Sequence, residues 1–315
     1  MRLIDQDEVR ERLTYEVAIP VVRAAMIALS SGKTRQHLRS IIPLADGRMF
    51  GIMPGALAER AAFGAKLISI FPENFALGQP SHQGVVILFD PDSGAPICVA
   101  HAGEVTAIRT AAASAVATDA LARPEATRLA ILGYGEQAQT HLRALRHVRP
   151  LDHVTVWGRS PERAGAFAAR MAVETGLPVV AADDVKSAVA QADIICTVSG
   201  SEEPILQGAW VRPGTHLNLV GSSRPGPVEV DDDLVAASRF IADSRESVLA
   251  QGAEFLNARA SGRVGNDHVV GEIGQVLSGA IPGRQSPDQI TVYKSLGHIV
   301  QDLASVQALL SGGVC

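Results

Sequence analysis

Apolar residues open the chain at helical spacing. Val9, Leu13, Val17, Val21, Val22, Met26 and Leu29 line one face between Asp5 and Leu29, which predicts an amphipathic helix interrupted or kinked near Pro20. The pattern then changes to short strand-like runs. Ile41 to Leu44, Met49 to Met53, Ala65 to Phe71 and Val85 to Phe89 carry β-formers between Gly and Pro punctuation, and Asp90-Pro-Asp-Ser-Gly94 reads as a hairpin turn into Pro96 to His101. With no strand–helix alternation here, these strands are expected to be antiparallel. Thr106 to Leu121 follows as a helix whose small residues allow a neighbour to approach closely.

From Arg128 strands and helices alternate. Strand-like runs at Leu129 to Leu132, Val154 to Trp157 and Pro178 to Ala181 lead into helices from Glu136, Pro161 and Asp183. Further runs occur at Ile194 to Val198, His216 to Val220 and Phe240 to Ala242. Alternation at these lengths predicts an α/β protein with a parallel sheet covered on both faces. His298 to Leu310 is again an amphipathic helix, expected to return to the first domain.

Composition narrows the function classes. With 315 residues and 47% hydrophobic content, the chain has enough apolar mass for two domains. A net charge of -5 and the lack of a Lys/Arg block argue against nucleic acid as a partner. Cys98, Cys196 and Cys315 are widely spaced and unpatterned, and read as reduced thiols. The N-terminus is charged where a signal peptide is apolar, and no apolar run approaches the ~18 residues of a membrane span. The expectation is a cytoplasmic protein with no membrane partner.

The most specific segment is Leu129-Ala-Ile-Leu-Gly133-Tyr134-Gly135-Glu136-Gln137-Ala138. An apolar strand runs into Gly-x-Gly-x-x-Ala and then into a helix, the fingerprint of dinucleotide binding. Gly133 permits the tight turn, Gly135 lets the backbone approach a pyrophosphate, and Ala138 lets the helix pack on the strand. Where an NAD enzyme usually has an acid after the second strand, this chain has Gly158, Arg159 and Ser160. A guanidinium and a hydroxyl suit a 2′-phosphate, so NADPH is favoured, with NADH left open. Candidate cofactor contacts also include Tyr134, Glu136, Gln137, Thr197, Val198, Ser223, Leu296 and Gly297.

Several segments in fixed order carry a resemblance to a known family. They include Gln36-His-Leu-Arg39, Met53-Pro-Gly, Gly64-Ala-Lys66, Ser81-His82-Gln83 and Thr106-Ala-Ile-Arg109. Pro213-Gly-Thr-His-Leu-Asn218, Gly221-Ser-Ser223-Arg224-Pro225, Asp231-Asp-Asp-Leu and Lys294-Ser-Leu-Gly297 continue the series. Over nearly its whole length the chain resembles the ornithine cyclodeaminase/mu-crystallin family. The resemblance implies a Rossmann NAD(P)-binding domain over 119–294 and an α+β substrate-binding and dimerisation domain from 1–118 and 295–315. It also implies a homodimer, a small imino or amino acid substrate, and Arg39, Lys66 and Arg109 gathered around its carboxylate, as catalytic and binding residues.

Those roles agree with elementary chemistry. An arginine fork fits a planar carboxylate, and a lysine directed inward from a strand needs an anion. In this family the cyclodeaminases look to carry an aspartate where this chain has Ser223, which lacks the charge and basicity to assist ornithine cyclisation. The Gly-Ser-Ser-Arg-Pro form is similar to the mu-crystallin branch, which implies hydride transfer to the C=N bond of a cyclic ketimino acid. Cyclodeaminase, alanine dehydrogenase-like, acyclic imino acid reductase and low-turnover NADPH-binding readings stay open at this point. His82 could face the substrate or sit in the core, His216 reads as structural, and Asp231 to Asp233 read as a helix start rather than a metal site.

Overall fold

The computed structural model describes all residues except 59, 60, 76, 79–81 and 313–315, with the side chains of residues 75 and 82 also outside the description. It divides into two compact units, Met1–Thr110 with His298–Cys315, and Ala111–Gly297.

In the first unit the opening apolar stripe forms two helices, α1 (Gln6–Arg12) and α2 (Tyr15–Ser30), bent by 88°. The break falls at Leu13 and Thr14, not at Pro20. Thr14 adopts the extended conformation of an N-cap, whereas Pro20 lies inside α2, where burial of Val21, Val22, Ala25 and Met26 outweighs the missing backbone donor.

The strands of this unit are β1 (Arg2–Ile4), β2 (Arg35–Gln36), β3 (Ser40–Pro43), β4 (Met49–Ala56), β5 (Phe63–Ile70), β6 (His82–Phe89) and β7 (Pro96–His101). They form one sheet in the order β1-β7-β6-β5-β4-β2, with β3 also paired to β4. All pairs are antiparallel except β1 with β7, which is parallel. The sequence pattern missed β1, whose three residues are too few to show a period. Helix α3 (Ala102–Leu121) begins before the expected Thr106, because Ala102 and Val105 are already buried and Gly103 does not break it. The closing helix, Ile299–Leu310, packs on α2 and across β4, β5 and β6.

The second unit is doubly wound. Its strands are β8 (Arg128–Leu132), β9 (His153–Trp157), β10 (Val179–Ala181), β11 (Ile194–Thr197), β12 (His216–Leu219), β13 (Arg239–Ala242), β14 (Val269–Glu272) and β15 (Thr291–Lys294). They form an all-parallel sheet in the order β10-β9-β8-β11-β12-β15-β13-β14. Helices α4 (Glu136–Leu145), α5 (Pro161–Thr175) and α6 (Val185–Val189) follow the first three strands. After β12 come α7 (Asp232–Ala237), α8 (Arg245–Gln251), α9 (Ala253–Ala260) and α10 (Ile273–Leu277), and the closing helix of the first unit is α11. Leu217, Leu219, Leu234, Phe240, Phe255 and Val292 are buried together in the core of this unit.

The fold class is therefore the expected one, a Rossmann-like parallel sheet with a second, mixed sheet. Strand order reverses at β8, which leaves a switch point between β8 and β11, where open α/β sheets bind ligands. Among the described residues, no single helix is long and apolar enough to cross a membrane.

Candidate functional site

Alternation along β5 puts Lys66 on the same buried side as Ile68. Its ammonium donates to both carboxylate oxygens of Asp302 on α11, at 3.0 and 3.1 Å, and to the Thr106 hydroxyl at 3.3 Å. Arg109, two turns along α3 in the same unit, donates from Nε to Asp302 Oδ1 at 3.2 Å and from Nη1 to Gln301 Oε1 at 2.7 Å. Two cations thus share one fully buried carboxylate, and the triad carries one net positive charge.

Burial lowers the Lys66 pKa from 10.5 to about 8; Asp302 opposes that fall, while Arg109 and Arg39 add to it. Burial pushes the Asp302 carboxyl up, but Arg109 and Lys66 outweigh that and hold it below the usual carboxylate range. Arg39 lies half-buried between β2 and β3, close enough for its charge to act on Lys66. The backbone of His82 starts β6 opposite Ile70, and its side chain lies outside the described residues.

In the second unit β8 runs into Gly133, whose φ of 136° no other residue adopts readily. A Cβ there would lie 2.7 Å from the Val198 carbonyl at the end of β11. Gly135 differs. Its φ of -88° is ordinary, and an added Cβ would meet nothing within 4 Å, so neither conformation nor internal packing calls for glycine. It is the N-cap of α4, with no side chain capping the helix, so its bare backbone and the N–H groups at the helix start form a cradle that a Cβ would fill. Those residues fit a dinucleotide pyrophosphate. Ala138 is buried, while Glu136 is exposed and Gln137 half-buried in the same turn.

Tyr134 packs over Gly158, where a Cβ would lie 2.1 Å from its ring. Arg159 is exposed beyond β9, and the Ser160 hydroxyl accepts from the Arg163 N–H as the N-cap of α5. The Thr197 hydroxyl is committed inward, donating to Glu229 at 2.6 Å. The amides of Leu296 and Gly297 donate to Asp243 Oδ2 at 2.6 and 2.7 Å. Ser223 is half-buried in the loop after β12.

Other residues read from the sequence are structural. His216 is buried on β12 beside the Thr291 hydroxyl at 3.0 Å, and burial lowers its pKa to about 3. Asp231 caps α7 by accepting from the Leu234 N–H. Cys98 and Cys196 are free and buried, and Cys315 lies outside the described residues. No group of three or more His, Cys, Asp or Glu among the described residues is placed to hold a metal.

Sequence reasoning gave no site role to Asp302, Gln301, Glu229, Asp243, Lys294 or Glu254, all buried. A signal existed in each case of Val228-Glu229-Val230, Val292-Tyr-Lys294 and Val300-Gln-Asp302-Leu303: an ionisable residue inside an apolar run, which burial obliges to find a partner.

A glycine fingerprint at the switch point of a doubly wound sheet defines a Rossmann-type α/β protein. The chain belongs to the ornithine cyclodeaminase/mu-crystallin family, whose model matches residues 2–310. It is 36% identical over 309 residues to the ketimine reductase mu-crystallin of Mus musculus, covering 96% of this chain and 95% of that protein. To a Δ(1)-pyrroline-2-carboxylate reductase of Bacillus cereus it is 31% identical over 316 residues, covering 100% and 97%. It also superposes on the Thermococcus litoralis Δ(1)-pyrroline-2-carboxylate reductase solved in complex with NADH and L-proline. That match has a TM-score of 0.95 at 30% identity, over 99% of this chain and 97% of the other.

Proposed function

We propose that this chain is an NAD(P)H-dependent reductase of cyclic 2-imino acids, converting Δ1-pyrroline-2-carboxylate or Δ1-piperideine-2-carboxylate to L-proline or L-pipecolate. The observation that carries the reading is the buried triad. Lys66 and Arg109 share Asp302, which leaves the unit charge needed to pair with one small carboxylate. The names and complexes of the relatives support the same substrate class.

In this reading Arg109 and Arg39 hold the substrate carboxylate and fix its plane. Lys66, with a pKa of about 8, is mostly protonated at neutral pH yet gives up its proton readily, so it protonates the imine nitrogen. Asp302 keeps the Lys66 ammonium aimed and raises its proton affinity against the surrounding cations. A reduced nicotinamide, when bound, supplies the hydride that C2 of the imine receives. The C=N bond gains hydride at carbon and a proton at nitrogen, which balances the conversion to a secondary amine. Gly133, Gly135 and the first turn of α4 would hold the pyrophosphate, and exposed Arg159 would select the 2′-phosphate of NADPH.

Ser223 disfavours the cyclodeaminase reading, because a serine offers no carboxylate to engage the amines of ornithine. The first unit is also the proposed pairing surface for a second copy. Ile42 and Leu44, 47% and 43% exposed on and beside β3, are apolar area for such a contact, and light scattering reads the resulting mass.

The deciding experiment follows NADPH oxidation with each cyclic imine, alongside ammonia release from L-ornithine with NAD+. Imine-dependent oxidation without ammonia is the expected result. Ammonia and proline from ornithine would replace this reading with the cyclodeaminase.

A further inference from the structure

Two strand-end loops of the second unit converge on one buried carboxylate that the reaction above does not use. Glu229, fully buried, accepts from the Thr197 hydroxyl at 2.6 Å and the Gly221 N–H at 2.8 Å through Oε2. Through Oε1 it accepts from the Ser199 N–H and hydroxyl, each at 2.7 Å. Thr197 and Ser199 lie at the carboxyl end of β11, and Gly221 follows that of β12. The approach is close enough that a Cβ on Gly221 would lie 2.4 Å from Glu229 Oε1.

Burial pushes the Glu229 carboxyl above the usual carboxylate range and Glu254 adds to that, while the Thr197 and Ser199 hydroxyls and Lys294 oppose it. The four donors together match the acceptor capacity of its two oxygens. A buried charge is costly, and an apolar residue would fill the same space at less cost if packing were its only purpose. What it adds is a fixed backbone. The loops it ties lie beside the switch point, the edge on which doubly wound sheets bind dinucleotides. The next strand in the sheet has a similar device, since Lys294 donates to the Ser222 carbonyl at 2.7 Å and pairs with Glu254 at 2.7 Å.

We propose that Glu229 is a positioning residue for the dinucleotide, setting the exit backbones of β11 and β12 in the geometry that binds the nicotinamide half. The inference rests on the dinucleotide reading above.

The test titrates NADPH into the full-length wild type and Glu229→Gln by cofactor fluorescence, with melting curves and the KM for Δ1-pyrroline-2-carboxylate at saturating NADPH. The glutamine fills the same volume but turns an amide donor toward Ser199 or Gly221. Expected is a folded variant whose NADPH Kd rises at least about tenfold, while the imine KM stays within about twofold. An unchanged Kd in the folded variant overturns the proposal. If Glu229→Gln does not fold, Ser199→Ala removes one donor and leaves the carboxylate in place; a Kd raised about threefold supports the proposal, and an unchanged one overturns it. A wild type that binds neither NADPH nor NADH overturns the dinucleotide reading itself, and this inference with it.

Discussion

Lys66 and Asp302, 236 positions apart in sequence, meet as a buried ion pair, with the ammonium 3.0 and 3.1 Å from the two carboxylate oxygens. The pair sets the proton affinity of the lysine. Its pKa of about 8 is held down first by burial and held up by Asp302. In the proposed reduction the protonated form of Lys66 is the donor, so kcat/KM is expected to fall as pH rises through about 8. Asp302→Asn removes the opposing charge, which moves this alkaline limb to lower pH. It also leaves two buried cations without their anion, at a cost of roughly 3–5 kcal/mol in stability. A folded variant whose alkaline midpoint matches the wild type would show that another group controls the limb.

Lys66→Met keeps the apolar stem and removes both charge and proton. Loss of a positioned general acid typically lowers the rate by about a hundredfold to ten-thousandfold, and kcat/KM for the cyclic imine is expected to drop within that range at saturating NADPH. Because Lys66 is no part of the glycine fingerprint between β8 and α4, NADPH affinity should change little. An unchanged kcat/KM would remove Lys66 from the chemistry.

Gly135→Ala separates a ligand requirement from a folding one. The φ of -88° suits alanine and its methyl would enter open space, so stability should change by less than about 1 kcal/mol. The same methyl would stand between the backbone and a pyrophosphate, so NADPH Kd should rise at least about tenfold. Fluorescence titration beside thermal melts checks both halves. Equal loss of stability and affinity would point to a packing role instead.

The sequence displayed what local rules govern. β8, the Gly133 turn and α4 could be read directly because a strand, a positive-φ glycine and an amphipathic helix are set by neighbouring residues. β15 was not legible. It is four residues long, ends in a lysine, and reaches the middle of the sheet between β12 and β13 only through tertiary pairing. The same limit applied to the site. Lys66 could be marked as an inward cation, but its partner lies on the closing helix, and no local spacing links β5 to α11. Glu229 escaped notice because its four donors come from separate loops that only the folded sheet brings together.

Arg159 tests cofactor choice. It is exposed at the end of β9, where an NAD-specific fold usually carries an acid, and Ser160 beside it accepts from the Arg163 N–H and retains its own proton to donate. A guanidinium at that position pairs with a 2′-phosphate but gains nothing from a 2′-hydroxyl. Arg159→Ala should therefore weaken NADPH use by about tenfold to a hundredfold and leave NADH use nearly unchanged, since one charge-assisted contact contributes on the order of 1.5–3 kcal/mol. The measurement is kcat/KM for each cofactor at fixed imine, in wild type and variant. Because an exposed side chain contributes little to folding, stability should be unaltered, and any change in the NADPH to NADH ratio reports recognition alone. A ratio identical in the two proteins would place cofactor selection elsewhere in the loop after β9.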